Sequence, residues 1–180
     1  MAEIASLAAD TGSRLFSHIY ISRAERLHAR TAFAAHGGSM VRYLASLDLL
    51  GPELTLAHGV WLDDDEIGML AGSGTSVVIN PLSNLKTRNG VAPIRSMLDA
   101  GVNLGIGCDN CSCSDAQNIF QAMKLFSLLP AISDPDPATP WAITAFDAAT
   151  IGGAAALGLG RQVGAIAPGM LADLTVLDLD

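Results

Sequence analysis

Four short apolar segments, each followed by a helical pattern, constrain the fold of this chain more than any other feature. The segments are residues 14–21, 54–61, 75–80 and 102–107. Strands that alternate with helices in this way form parallel sheets through βαβ crossovers. A closed eight-stranded barrel takes about 250 residues, whereas this chain has 180. The sequence therefore predicts an α/β fold, either a small open parallel sheet or part of a barrel.

Turn residues and capping patterns divide the rest of the chain. Helical segments are predicted at 1–12, 23–50, 63–72, 92–100, 115–129 and 141–157, the second broken at Gly37-Gly38 and the last at Gly152-Gly153. Asp63 with Glu66 three residues later has the spacing of a capping box, which favours a helix start at that point. We expect loops at residues 83–90, which are polar, and at residues 133–140, which include three prolines, and a last strand at residues 172–177.

The composition excludes several classes of function. The formal net charge is −8 with only ten Lys and Arg residues, so nucleic acid is a poor expectation as partner. No run approaches the ~18 consecutive apolar residues of a membrane span, and the N-terminus lacks the basic and apolar regions of a signal peptide. The three cysteines lie within six positions. This spacing does not fit a disulfide framework and favours a reducing, cytoplasmic setting.

Three potential ligands or catalytic groups fall at the ends of predicted strands. His18 and His58 lie near the ends of the first two strands, and Asp109 follows the fourth, after Gly105-Ile106-Gly107. The carboxyl ends of parallel strands share one edge of the sheet, which is the usual place for chemistry in α/β proteins. Two imidazoles and a carboxylate suit a divalent metal that activates water. The alternatives are that each histidine is a hydrogen-bonded core residue and that Asp109 caps the next helix.

Other catalytic motifs are weak or absent in the sequence. There is no Gly-X-Ser-X-Gly nucleophile elbow, which disfavours a serine hydrolase. The Gly105-Ile106-Gly107 run lacks a third glycine and is followed by no P-loop lysine, which disfavours phosphate binding. Cys108, Cys111 and Cys113 have no second cluster with which to complete a zinc site. We therefore interpret the cysteines as packing or loop residues.

Taken together, the motifs resemble the amidohydrolase superfamily, and specifically the branch of S-adenosylhomocysteine, guanine and cytosine deaminases and triazine hydrolases. The similar stretches are residues 56–67, 80–85 with 89–93, 100–109, and 163–164 with 168–176. In order, they look like the sixth strand with its helix start, the seventh strand with its substrate-side loop, the eighth strand with its metal-binding aspartate, and the return to a small β domain. The resemblance implies that residues 1–160 are strands five to eight of a (β/α)8 barrel, and residues 161–180 a return strand.

The same resemblance implies roles for individual residues. His18 and Asp109 would bind the metal, which would be zinc or, as the alternative, iron. His58 and Asp109 would be catalytic, with His58 polarising the substrate or helping to position the water, and Asp109 taking the proton of the attacking water. Ser83 and Asn84 would shape the substrate pocket. The substrate would be a small nitrogen heterocycle that undergoes hydrolytic deamination or dechlorination.

The chain departs from the family pattern in three respects. The family usually has a glutamate three residues after the fifth-strand histidine, and Ile21 stands there. The His-X-His of the first strand occurs nowhere in the 180 residues, and strands one to four have no counterpart. We expect the chain alone to bind metal poorly and to be active only with an N-terminal half. The alternative is a non-catalytic half-barrel domain that folds by association with another chain, for example as a homo-oligomer.

Overall fold

The computed structural model describes residues 2–133 and 141–178. Its one sheet has four parallel strands in the order β1-β2-β3-β4. The strands are β1 (Leu15–Ile19), β2 (Leu54–His58), β3 (Ser76–Ile79) and β4 (Leu104–Ile106). Each strand pairs with the next strand along the chain. The predicted α/β class and all four predicted sheet strands are confirmed.

Helices precede, connect and follow the strands. They are α1 (Ala2–Thr11), α2 (Arg23–Ala32), α3 (Met40–Ala45), α4 (Asp64–Ser73), α5 (Pro81–Lys86), α6 (Ile94–Asp99), α7 (Cys111–Ser114), α8 (Ile119–Leu128), α9 (Pro130–Ser133), α10 (Trp141–Asp147) and α11 (Gly153–Ala156), with a 3-10 turn at Ala34–His36 and a π-helical segment at Ala148–Gly152. The capping box at the start of α4 is confirmed, because the Asp63 side chain accepts from Glu66 N and the Glu66 side chain accepts from Asp63 N. Among the described residues, no helix combines the length and apolar character needed to cross a membrane.

The two faces of the sheet differ in what they contact. One face carries the apolar core, in which Ile19, Leu56, Val77, Ile79 and Leu104 are all buried. These side chains alternate with those of the opposite face, as in any strand. The opposite face carries Phe16, which is 59% exposed, and His18, which is also exposed. One face of the sheet is thus closed by helices, while part of the other is open.

Helix α11 and the π-helical segment that leads into it cover the open face only near the amino ends of the strands. The Thr55 hydroxyl donates to the carbonyl of Ala156 at 2.7 Å, and the Asn103 amide donates to the carbonyl of Gly152 at 3.1 Å. Gly105 lies against this helix, because a Cβ there would be 3.5 Å from Gly153 and 3.7 Å from Ala156. This helix therefore does not cover the carboxyl ends of the strands.

Several local predictions were wrong. The start of the segment predicted as a polar loop belongs to α5, which Pro81 begins with its preset φ and in which Ser83 and Asn84 are buried. The predicted helix over 115–129 starts only at Ile119, because Asn118 caps it. The helix of 141–157 continues through Gly152-Gly153 as π- and α-helix. The predicted loop over 133–140 lies almost wholly outside the described residues.

The predicted last strand, residues 172–177, is not a strand in the structure. Val176 there is 93% exposed, and no neighbour pairs with the segment within the described part of the chain. A strand requires a hydrogen-bonded partner, which an apolar alternation alone cannot supply. The division at residue 160 into a barrel part and a return toward a small β domain stays a prediction.

Candidate active site

The three side chains singled out at the strand ends lie close together. The rings of His18 and His58 stack with centroids 5.4 Å apart and an interplanar angle of 27°. His58 Nε2 lies 4.0 Å from Asp109 Oδ2. Residues 18, 58 and 109 are far apart in the chain, so parallel pairing of the strands brings them to one edge. Their roles stay predictions, but their meeting satisfies the geometric condition for a shared site.

His58 reaches this position through a break in the strand alternation. Its pairing partner in the register is Ile19, and its neighbour Ala57 pairs with His18. Simple alternation would therefore place His58 with Ile19, on the face opposite to His18. The backbone of His58 has φ +75°, in the left-handed region, and this turn brings its ring onto His18. Such a conformation costs a non-glycine residue about 1–3 kcal/mol.

Asp109 is held by two hydrogen bonds that favour its ionised form. Its Oδ2 accepts from Ser83 Oγ at 2.6 Å, and its Oδ1 accepts from the backbone N–H of Asn110 at 2.8 Å. The Ser83 hydrogen bond is the largest cause that lowers the pKa of Asp109 below its usual value; burial opposes it, while Asn110, His58 and His18 add to it. Asp109 is therefore a carboxylate at neutral pH. It does not cap the next helix, because Asn110 caps α7.

Helix α5 supplies a polar side chain to each catalytic candidate. Ser83 and Asn84 are both 2% exposed. While Ser83 donates to Asp109, Asn84 Oδ1 lies 2.9 Å from His58 Nδ1. The two residues that were predicted to shape the substrate pocket therefore contact the candidate catalytic groups directly.

A buried polar cluster beside the site was not recognised from the sequence. Glu66 is 1% exposed, and its Oε1 accepts from Tyr20 Oη at 2.9 Å, Arg26 Nη1 at 2.9 Å and Ser39 Oγ at 2.5 Å. Tyr20 follows β1 directly with φ +47°, and its hydroxyl also accepts from the backbone N–H of Met40 at 2.7 Å. The cluster ties the end of β1 to α2, α3 and α4. Only the capping position of Glu66 was visible in the sequence.

Ile21 makes a local hydrogen bond, and the three cysteines are not in disulfides. Ile21, at the position where the family usually has glutamate, donates its backbone N–H to Glu25 Oε2 at 2.7 Å. Glu25 is thereby engaged at the start of α2. Cys108, Cys111 and Cys113 are free thiols, and burial raises the pKa of Cys108.

A cavity of about 480 Å³ lies outside this site. It is bordered by Val60, Trp61, Val91, Pro93 and Arg95. None of the candidate catalytic side chains lines it.

The donor types at the strand ends match those that zinc takes, but the set is incomplete. Within the part of the chain that the structure describes, no group of three or more His, Cys, Asp or Glu side chains is arranged to hold a metal ion. Structural and catalytic zinc sites use at least three protein ligands. The described residues thus do not form a metal centre by themselves.

Comparison with known proteins connects the chain to amidohydrolases over its full length. The model of the amidohydrolase family matches residues 1–180. A 5'-deoxyadenosine deaminase of Methanothermobacter thermautotrophicus is 40% identical over 164 residues, which are 91% of this chain and 38% of that protein. A 5-methylthioadenosine/S-adenosylhomocysteine deaminase of Thermococcus onnurineus is 37% identical over 180 residues, which are 99% of this chain and 41% of that protein. The chain thus spans about two fifths of the length of these relatives.

Solved structures agree with the sequence relatives. An adenosine deaminase from Xanthomonas campestris with bound zinc superposes with a TM-score of 0.89 and 31% identity, over 96% of this chain and 38% of that chain. Atrazine chlorohydrolase from Arthrobacter aurescens complexed with zinc superposes with a TM-score of 0.84 and 29% identity, over 96% of this chain and 38% of that chain. The zinc in these neighbours supports a divalent metal in proteins of this kind. The four-stranded parallel sheet matches part of their barrel, and the chain belongs to the amidohydrolase family.

Proposed function

We propose that this chain supplies strands five to eight of the barrel of a metal-dependent hydrolase that deaminates a nitrogen heterocycle, with an adenine nucleoside as the first substrate to test. The observation that carries the proposal is the meeting of His58 with an ionised Asp109 at the carboxyl edge of a parallel sheet. The names of the most similar relatives support the substrate class, because they are deaminases of adenosine derivatives. Release of chloride from a chlorinated triazine is the second candidate reaction, supported by the atrazine chlorohydrolase neighbour.

Asp109 and His58 have the chemistry that hydrolytic deamination needs. In this reaction the oxygen of water forms a bond to the ring carbon, the C–N bond breaks, and ammonia leaves. Asp109, as a carboxylate, takes a proton from the water and returns it to the departing nitrogen, while the second proton of the water stays on the product. His58 lies beside the same space and can help to position the water by accepting a hydrogen bond at Nε2. Positioned acid–base groups contribute about 10²–10⁴-fold to such rates.

The metal in this proposal takes only part of its ligands from this chain. His18 and Asp109 are the ligands that we assign to it, with zinc as the metal and iron as the alternative. A bound divalent metal supplies the acidity that makes water reactive at neutral pH. The further ligands would come from outside the described residues, in agreement with the fraction of the relatives' length that the chain spans.

The test is the activity of an Asp109→Asn variant, assayed with zinc and a supplied N-terminal half, which the proposal requires for activity. We expect ammonia release from 5'-deoxyadenosine to fall by about 10²–10⁴-fold, with the far-UV circular dichroism spectrum unchanged. Asp115→Asn is the matched control, because Asp115 is an exposed aspartate that pairs with Lys86 outside the site, and it should retain activity. Full activity of Asp109→Asn, or equal losses in both variants, would contradict the assignment. Chloride release from atrazine, measured in parallel, distinguishes the two reactions.

A second candidate function is that of a non-catalytic half-barrel domain which associates with another chain. In the described structure β1 and β4 each pair on one side only, and Phe16 on the open face is 59% exposed. Unpaired strand edges are templates for further pairing, so association with a complementing half or a second copy would cover them. Light scattering with parallel activity measurements tests this candidate. A folded monomer that releases ammonia would exclude it, whereas an oligomer that stays inactive with zinc and a supplied N-terminal half would favour it over the hydrolase.

A further inference from the structure

We propose that Asn84 is a positioning residue which fixes the tautomer of His58, so that Nδ1 carries the proton and Nε2 presents its lone pair to the site. Both residues are 2% exposed, and His58 Nδ1 lies 2.9 Å from Asn84 Oδ1. An amide oxygen only accepts hydrogen bonds, so the imidazole nitrogen that faces it must donate. The inference rests on the proposed function for its catalytic meaning, but the tautomer itself is a property of the folded chain.

The surroundings of the His58 ring leave Nε2 as the nitrogen that is available to the site. Nε2 lies 4.0 Å from Asp109 Oδ2, which is beyond hydrogen-bond distance. Nδ1 is occupied by Asn84, whereas Nε2 is directed toward the space shared with Asp109. The hydrogen bond made by one ring nitrogen determines which nitrogen of a histidine is available for catalysis or for a ligand. Asn84 therefore assigns that role to Nε2.

The backbone around Asn84 keeps its amide in place. Its N–H donates to the carbonyl of Asn80 at 3.0 Å, and its own carbonyl accepts from Asn89 N at 2.8 Å. Its neighbour Ser83 holds Asp109 from the same helix. One rigid helix thus orients both candidate catalytic groups, each through one side chain. A loop at this position would leave the ring of His58 free to exchange tautomers.

The experiment reads the tautomer directly by long-range ¹H–¹⁵N correlation NMR of the ¹⁵N-histidine-labelled protein. It is run about two pH units above the ordinary histidine pKa of ~6.5, so that the imidazoles are neutral. We expect wild-type His58 to be the Nδ1–H tautomer. Asn84→Leu, which keeps the size but removes the acceptor, should invert the ratio toward Nε2–H. Asn84→Asp, which keeps an acceptor oxygen, should restore Nδ1–H.

A matched control and the kinetics separate this role from a merely structural one. Asn89→Leu removes a half-buried asparagine side chain of the same segment, which donates to Thr87 Oγ1, and should leave the His58 signals unchanged. For the active protein, Asn84→Leu should lower kcat by about 10–100-fold, as does the loss of a hydrogen-bond partner that orients a histidine of the site. Asn84→Asp should recover part of that loss.

The outcomes also separate this inference from the proposed function. An Nε2–H tautomer in the wild type, or an unchanged tautomer in a folded Asn84→Leu variant, would overturn the role of Asn84 even in an active deaminase. An inverted tautomer in Asn84→Leu, in a protein that has no deaminase activity even with zinc and a supplied N-terminal half, would support the role of Asn84 and reject the proposed function. If Asn84→Leu does not fold, the wild-type and Asn84→Asp spectra decide, because both must show Nδ1–H.

Discussion

Replacing Glu66 by alanine should destabilise the protein more than other changes in the same helix turn. Glu66 is 1% exposed, and its Oε1 accepts from Tyr20, Arg26 and Ser39. Burial is the main cause that raises the pKa of Tyr20, so its hydroxyl keeps the proton that it donates to Glu66. The Arg26 side chain is 17% exposed and carries a charge that Glu66 compensates. Removal of Glu66 leaves that cation and two hydroxyl donors without their shared acceptor.

The magnitude follows from what remains after the substitution. Removal of one partner from a buried ion pair costs about 3–5 kcal/mol. Arg26 keeps its second contact, to Asp63 at 2.5 Å, and that carboxylate is half exposed. We therefore expect the lower end of the range, about 3 kcal/mol. Since domains of this kind have total stabilities of about 5–15 kcal/mol, the loss is a large fraction of the free energy of unfolding.

Urea denaturation followed by far-UV circular dichroism measures this effect. Asp65→Ala is the matched control in the same helix turn, because Asp65 is 81% exposed and lies 3.3 Å from Arg42. An exposed ion pair of this kind contributes about 0–1 kcal/mol, so the control should unfold near the wild-type midpoint. A Glu66→Ala variant within about 1 kcal/mol of wild type would refute the reasoning, because the buried cluster would then contribute no more than a surface pair.

Two further predictions concern titration near the site. In the metal-free protein, Ser83→Ala should raise the pKa of Asp109 toward its usual value, because the Ser83 hydrogen bond is the largest cause of its depression; carboxyl ¹³C NMR follows the titration. Since the folded-state pKa lies below the unfolded one, ionised Asp109 stabilises the fold above the unfolded pKa of ~3.9. That stability is lost as the pH falls through the folded pKa. Because Ser83→Ala brings the folded pKa closer to the unfolded one, the variant should lose less stability at acidic pH. Iodoacetamide should alkylate the exposed Cys111 before Cys108, whose reaction should require higher pH because burial raises its pKa; peptide mass spectrometry measures both.

Each of these expectations has a defined contrary result. An unchanged Asp109 titration in Ser83→Ala would show that other contacts, such as the N–H of Asn110, control the carboxylate. Equal rates of alkylation at Cys108 and Cys111 across the pH range would show that burial does not protect the former.

Local sequence determined most of the secondary structure. The four strands and the start of α4 were predictable, because apolar periodicity and the Asp63–Glu66 capping box depend on neighbouring residues. The positions of His18, His58 and Asp109 at strand ends followed from the same patterns, and parallel pairing then implied one shared edge. The family resemblance rested on these ordered motifs, and the match over residues 1–180 confirms it.

Only the tertiary structure decided how the side chains meet. The left-handed turn at His58 overrides strand alternation, and α5 forms where polar residues suggested a loop because Ser83 and Asn84 find buried partners across the sheet edge. The acceptors of Tyr20 and Arg26 lie 46 and 40 positions away in Glu66. The segment 172–177 shows the converse, since its apolar pattern has no strand beside it in the described structure. Hydrogen bonds between residues distant in sequence depend on packing, which no local pattern records.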